Sequence, residues 1–498
     1  MNSETTAKTE PSTAGISNLL LDRADVEPHV RAMAQTAGVR FADFFGSMED
    51  RQLICRLVWA RDHEHEYLIG TWPARGTGYP PLSEVVPAAF VEECEIYEQF
   101  GVGPGKGRTL NRLVIPPGAD RSFPRLGEPP PDDRPLPHAP HYVSGEAVEF
   151  PFGPVRGVAQ ESMYMGLVTS GEELIDLYLL QWHKHRGIER RLCGESVARA
   201  LFLVERVEGL SAVGNGWAFC RAVEAIAEVS PHPATERSRG VALELERLYN
   251  HAAAIAALCQ STGLMVGQAQ AEIILEQLLR LNAMVFGHRY LFGVVAPGGT
   301  SRAADADALV TQLPPIVVAL RRLVDSLSAT NSFVDRLESC GVVAPADAAR
   351  LGLVGPVARA SGQDIDTRRD HAFGPYVDIA VEVPVRNAGD VMARMSVMVA
   401  EMEESARLAL ELAGAGLGVG TVEVPPATGS ALGWCESPRG ESLLWVDLDA
   451  GRIRRARVRP GSVRNWRSFD DAVRSRNVFT DIAIIEASFW LTVAGMAR

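Results

Sequence analysis

Between residues 241 and 285 apolar side chains recur at a helical period for longer than a strand can use them: Val241, Leu245, Leu248, Ala252 and Ile255, then Ile274, Leu278, Leu281 and Val285. Met395, Met398 and Met402 mark another such face. Helices with one apolar stripe each must bury those stripes against one another, so the spacing predicts a helix-bundle core. Strand patterns flank it. CRLVWARD and HEYLIGTW read as strands, PLSEVVPAAFVEECEIYEQFG reads as a turn leading into a helix, and SLLWVDLD with GRIRRARVR reads as a hairpin turning at Ala450-Gly451. The fold class is α+β.

Nine prolines between Pro116 and Pro140 leave few donors for a ladder and stop any helix, so residues 116–145 read as a linker. The expected order is a floppy tail at 1–25, a small α+β domain at 26–115, the linker, and a helix-bundle-centred domain at 146–498. The tail has no basic segment followed by an apolar core, which predicts a chain that stays in the cytoplasm. The uncharged run from Ala252 to Ala271 contains Gln260, Ser261, Thr262, Gln268 and Gln270, too polar for a lipid-facing span.

Charge and cysteine usage narrow the chemistry. With 49 basic against 62 acidic side chains the net charge is -13, which repels a phosphate backbone and argues against nucleic acid. The seven cysteines never form C-x-x-C, which argues against a disulfide framework and against an iron–sulfur cluster or zinc ribbon held by this chain alone. Neither G-x-G-x-x-G nor a P-loop occurs, so nucleotide binding has no local support.

Four polar features remain. QWHKHRGIERR sets His183 and His185 beside Arg186 and Glu189, either as a polar helix end or as a site. Glu208 stands in an apolar helical run, where a buried carboxylate needs either a cation, such as Arg206 or an arginine from elsewhere, or a chemical role. In GPVARASGQDIDTRRD, the residues Arg359, Asp364, Asp366, Arg368 and Arg369 form either a buried ion network or a cavity wall. Nine arginines between Arg452 and Arg476 read as solvated strand faces, with a docking surface for an acidic partner or anionic lipid as the alternative.

Seven segments, GPVRGVAQES, HKHRGIER, ELERLYNH, GPVARASGQDIDTRRD, GDVMARM, ESPRGE and RVRPGSVRNW, occur in the order and spacing of a known family. The chain resembles the fusion of the 30-kDa-like and 49-kDa-like subunits of respiratory complex I, as found in the large subunit of formate hydrogenlyase (subunit 5 type) and other membrane-bound group 4 nickel–iron hydrogenases. SEVVPAAFVEECEIYEQFGV looks like the 30-kDa signature. The resemblance covers nearly everything from residue 26 to Arg498.

The metal chemistry of that family does not carry over. Its hydrogenases hold nickel and iron with two C-x-x-C pairs; laid without gaps from HRGIE, those positions are Glu208, Ser211, Thr492 and Gly495. No nickel–iron centre is expected, and Cys193 in RLCGES is a decoy. The 49-kDa subunit of complex I has an acid at the first of these positions. In its quinone cavity a histidine, that acid and a tyrosine are thought to protonate the headgroup; by spacing these become Gln160, Glu208 and His183. A histidine with a reference pKa near ~6.5 suits a donor, whereas Gln160 can only orient a ring.

The resemblance thus implies a core subunit of a multisubunit, membrane-associated oxidoreductase with a quinone-type or other organic acceptor near Gln160, His183 and Glu208. Arg359, Asp364 and Arg368 are cavity or network residues. Iron–sulfur clusters would lie in a partner small subunit covering the HRGIE and AGMAR face, with membrane-arm subunits below. NAD would be a substrate only of the whole complex. The expected location is the cytoplasmic face of the inner membrane. The alternative is a non-catalytic coupling or scaffold subunit, and a functional hydrogenase ranks below both.

Overall fold

The computed structural model describes residues 8–13, 15–74, 78–105, 110, 112–116, 126–127, 141–155, 161–474 and 476–498, with backbone only at 8–13 and 141–144. The first domain is a five-stranded sheet of β1 (Lys8–Thr13), β2 (Ile16–Leu20), β3 (Val39–Glu49), β4 (Gln52–Arg61) and β5 (Glu66–Ala74), ordered β1-β2-β5-β4-β3. Helices α1 (Arg23–Gln35) and α2 (Phe90–Phe100) accompany it, and α1 buries Val26 and Val30. CRLVWARD and HEYLIGTW fall on β4 and β5. Residues 8–13 and 15–25, expected in the floppy tail, are instead part of the domain. Ile16 is 5% exposed, and β2 pairs in parallel with β5. Five residues with a polar centre give too short an alternation to stand out beside a disordered-looking lead-in.

The second sheet is antiparallel: β6 (His141–Ser144), β7 (Ala147–Phe152), β8 (Tyr164–Ser170) and β9 (Glu173–Leu180). Its first strand lies within the stretch expected to be linker, most of which is outside the described residues. Then come the long helices α3 (Ala212–Ile226), α4 (Pro233–Ser261), α5 (Met265–Phe286), α6 (Ala306–Ser328) and α7 (Val391–Gly414). The stripes bury as their period requires: Val241, Leu245, Leu248, Ala252 and Ile255 on α4, Ile274, Leu278, Leu281 and Val285 on α5, and Met395, Met398 and Met402 on α7. Strands β10 (Gly429–Ser437), β11 (Gly440–Asp449) and β12 (Arg452–Arg459) form a third sheet, against which α3 packs. Gly433 permits that approach, because a Cβ there would overlap the carbonyl of Ala218.

The arginine-rich segment is not a solvated face along its buried half. Arg455, Arg457, Arg459 and Arg464 are buried. Arg457 binds Asp43 at 2.9 Å and Glu95 at 2.6 Å, and Arg464 binds Glu92 at 3.0 Å, all acids of the first domain. From the opposite side Arg40 reaches Glu441 at 2.7 Å. Arg498 joins Glu95 at 2.9 Å to Glu189 at 3.1 Å, and Glu189 also takes Arg455 at 2.8 Å. For Arg457 and Arg464 the acidic partner is the amino-terminal domain of the same chain, whereas Arg455 and Arg459 pair with Glu189 and Glu441 of the second domain.

Candidate functional site

Glu208 sits where one helix has stopped and the next has not begun. Helix Val197–Val204 ends, and Glu205 accepts the N–H of Gly293 at 2.8 Å. Glu208 is extended (φ -132°, ψ 108°), and a single turn, Gly209–Ser211, leads into α3. The first turn of α3 is buried, so its free N–H groups need acceptors. Val213 and Gly214 donate at 2.8 and 3.0 Å to the two oxygens of Glu246 on α4. Burial pushes the Glu246 carboxyl up to about 8, against those N–H groups and the nearby Arg439 and Arg247.

The opposite wall comes from the end of the chain. Helix α8 (Ile482–Phe489) is closed by Trp490 in the left-handed conformation, with φ 49°. Arg439, in the turn between β10 and β11, donates from Nε to the Trp490 carbonyl at 2.6 Å and from Nη1 to Ser211 Oγ at 3.1 Å. Thr492 Oγ1 donates to Glu208 Oε1, and Gly495 N donates to Thr492 Oγ1 at 3.3 Å. Any side chain at Gly495 would overlap Glu208 Oε1. Glu208, Ser211, Thr492 and Gly495 therefore meet at one place, although up to 287 positions separate them in the sequence.

Arg186 of HRGIE clamps the two walls together. It donates to the Val207 carbonyl at 2.6 Å, the Arg206 carbonyl at 3.2 Å and the Ala494 carbonyl at 2.5 Å. Glu161 Oε2 accepts the N–H groups of Val493 and Ala494, the latter at 2.8 Å. Burial lowers the guanidinium pKa of both Arg186 and Arg439, and Glu208 opposes that shift in each. Arg206 is not the partner of Glu208: it pairs with Glu205 at 3.3 Å and lies over the Phe202 ring at 3.6 Å. Glu208 is 0% exposed, and its Oε2 has no hydrogen-bond partner among the described residues.

The other expected site residues divide. His183 is half-buried with its ring 6.2 Å from that of Tyr164. Gln160 lies outside the described residues. Arg359 and Arg368 are fully buried in an ion network with Asp366, Glu244, Glu401 and Glu436. Asp364 is not in it; 65% exposed, it pairs with Arg369 on the surface at 2.7 Å. Reading the residues singly missed Glu161, Glu246 and Arg439 as builders of the site and set Arg186 only beside His183, His185 and Glu189. The signal for Arg186 and Arg439 was present in HRGIE and ESPRGE, but their roles depend on carbonyls from the far end of the chain.

The donor set does not fit a nickel–iron centre. Where four soft thiolates are needed, the chain offers one carboxylate, two hydroxyls already engaged with Arg439 and Glu208, and a glycine whose side-chain space Glu208 fills. Among the described residues, no three His, Cys, Asp or Glu side chains converge as a metal site. No helix among them is long and apolar enough to cross a membrane.

The site lies inside a helical core and is built by segments far apart in the sequence, and comparison with known proteins shows what such a chain is similar to. The profile described as "Respiratory-chain NADH dehydrogenase, 49 Kd subunit" matches residues 261–414. Formate hydrogenlyase subunit 5 of Escherichia coli (strain K12) is 29% identical over 82% of this chain and 75% of its own length. The carbon monoxide-induced hydrogenase of Rhodospirillum rubrum is 28% identical over 67% and 95%. An NADH-quinone oxidoreductase subunit of Roseiflexus sp. (strain RS-1) is 26% identical over 69% and 96%. A solved chain of the membrane-bound sulfane sulfur reductase, an archaeal respiratory membrane complex, superposes with a TM-score of 0.67 at 21% identity, covering 72% of this chain and 100% of that one. The chain is thus similar to complex I 49-kDa-type subunits and to membrane-bound hydrogenase large subunits.

Proposed function

We propose that this chain is the core subunit of a multisubunit, membrane-associated oxidoreductase and that Glu208 supplies protons to a quinone or similar organic acceptor. Reduction of such an acceptor adds two electrons and two protons, so it needs donors near the reducible oxygens and a group that titrates. The observation that carries this reading is the fully buried Glu208 Oε2 without a hydrogen-bond partner among the described residues, in a fold where the other oxygen is held by Thr492. A buried polar atom left unsatisfied is costly unless something else completes it. His183 is the second proton donor and Gln160 orients the ring. Electrons come from an iron–sulfur partner that covers the HRGIE and carboxy-terminal face, membrane-arm subunits anchor the assembly on the cytoplasmic face, and NAD reacts only elsewhere in the complex.

The test is quinone-linked electron transfer by the isolated native complex with Glu208→Gln as the variant. The amide keeps the shape and cannot be protonated, so turnover falls about 10²-fold or more. Unaltered turnover removes Glu208 from the reaction. A second reading, a coupling or scaffold subunit without chemistry of its own, is favoured by the 0% exposure of Glu208, since an acceptor must open a way to it. Under that reading the variant changes assembly or coupling and leaves electron transfer intact.

A further inference from the structure

Behind the Arg439 turn the interior is ionic. Arg368 bridges Glu244 (3.0 Å) and Asp366 (2.7 Å), and Arg359 bridges Glu401 (2.7 Å), Glu436 (3.0 Å) and Asp366 (3.3 Å). Arg247 reaches Glu244 at 3.3 Å, and its other nitrogens hold the carbonyls of Glu436 and Ser437. Four carboxyls thus face three guanidiniums. The remaining base is His251, whose Nε2 lies 2.8 Å from Glu401. Its Nδ1 is buried without a partner among the described residues, so an imidazolium would strand an N–H, and burial lowers its pKa. The network therefore has one carboxyl more than its cations can match. Glu436 is the member on which a proton is favoured: burial and then Asp366 raise its pKa against the pull of Arg359, Arg247 and Arg368.

A second cluster faces this one from the amino-terminal domain. Arg40 holds Glu441 at 2.7 Å and Asp62 at 3.2 Å, and Glu441 also takes Arg459 and the Tyr67 hydroxyl, the latter at 2.7 Å. His371 is 2% exposed. Its Nε2 lies 2.9 Å from Asp62, Tyr67 stacks on its ring with centroids 4.1 Å apart, and its Nδ1 has no partner among the described residues. Between the clusters is a cavity of about 10 Å³ whose walls include Arg40, Asp62, Asp366, His371, Glu436 and Glu441. A space of roughly 10–15 Å³ holds one water if two to four polar groups surround it. Each Glu436 oxygen accepts one hydrogen bond, from Arg359 at 3.0 Å and from Thr367 N at 3.1 Å, which leaves capacity for another at each.

We infer that this cavity holds a single water molecule through which the two buried networks share one proton, passed between Glu436 and the His371–Asp62 pair. In the forward step the Glu436 O–H bond breaks and its proton joins the water, while the water gives one of its own protons to His371 Nδ1. The water is regenerated, Glu436 becomes a carboxylate, and His371 becomes an imidazolium with Nε2–H still on Asp62. No electrons move. The path links the domain seam to the ions directly behind the Glu436–Arg439 turn, and it holds whether or not Glu208 meets an acceptor.

Two measurements on the full chain test it. A structure resolving ordered solvent shows one water within hydrogen-bond reach of Glu436 and His371; a dry cavity or a bound cation there overturns the inference. Infrared titration shows a deuterium-sensitive carboxylic acid carbonyl band that is lost in Glu436→Gln. In His371→Gln, which removes the acceptor, the band persists to higher pH than in the parent; a band with an unshifted midpoint contradicts the shared proton. Should Glu436→Gln fail to fold, the solvent structure and the His371→Gln titration decide the matter.

Discussion

Two buried polar regions of this molecule are built on opposite terms. At the domain seam Asp43, Glu92, Glu95, Glu189 and Glu441 each meet at least one guanidinium, and several meet two or three. At the candidate site Glu208 has one hydroxyl on one oxygen and nothing among the described residues on the other. Complete pairing makes a seam that holds two domains in one register, whereas incomplete pairing leaves a group with capacity for a proton or a ligand. Burial does not separate the two sets, since both are buried; pairing does.

The largest expected effect breaks the seam. Arg457→Met leaves Asp43 and Glu95 short of their shared cation, and removing one partner of a buried pair costs about 3–5 kcal/mol. Chemical denaturation reads this as a lower midpoint or as a separate early transition of the amino-terminal domain. A loss below about 1 kcal/mol would mean the seam is solvated in solution.

Acid should find the seam next. Burial opposes ionisation of Glu189, but Arg455, Arg457 and Arg498 outweigh it and hold the carboxyl at about 2, below its ordinary 4.5. A folded pKa below the unfolded one gives stability that is complete above about pH 4.5 and is lost as pH falls through about 2. Midpoints measured down that range should decline, and Glu189→Gln should flatten part of the decline. A parent whose stability does not change over that range contradicts the ion-paired seam.

Gly495→Ala probes the site by volume. The methyl group overlaps Glu208 Oε1, so the carboxylate or the carboxy-terminal segment must shift, at about 1–3 kcal/mol. Of similar size is Glu246→Gln: burial raises this carboxyl to about 8, which favours its protonated form at pH 7, but the amide keeps an acceptor for only one of the two N–H groups of α3, so stability near neutral pH falls by about 1–3 kcal/mol. A loss beyond that range would show that Glu246 is ionised there.

Local pattern was enough for the core. The stripe from Val241 to Ile255 buries along α4, and the hairpin turning at Ala450-Gly451 forms as its alternation requires. Motif order carried the positions 208, 211, 492 and 495, which the fold brings together. What stayed hidden depends on pairing across the chain. Arg457 looks solvated until Asp43, 414 residues away, is placed beside it, and Thr492 looks inert until it meets Glu208, 284 residues away. Period and propensity carry no information about partners at such separations. Strand β2 escaped for a local reason, its five residues being ordered by pairing with β5 rather than by their own alternation.

The central claim, proposed above, is that a site lined by an acid, two hydroxyls and a glycine works through that acid. Paired assays of quinone-linked turnover and folding stability in Glu208→Gln test it most directly. Turnover should drop about 10²-fold or more with stability changed by about 1 kcal/mol or less. Retained turnover, or a collapse of stability that accounts for its loss, would contradict the claim.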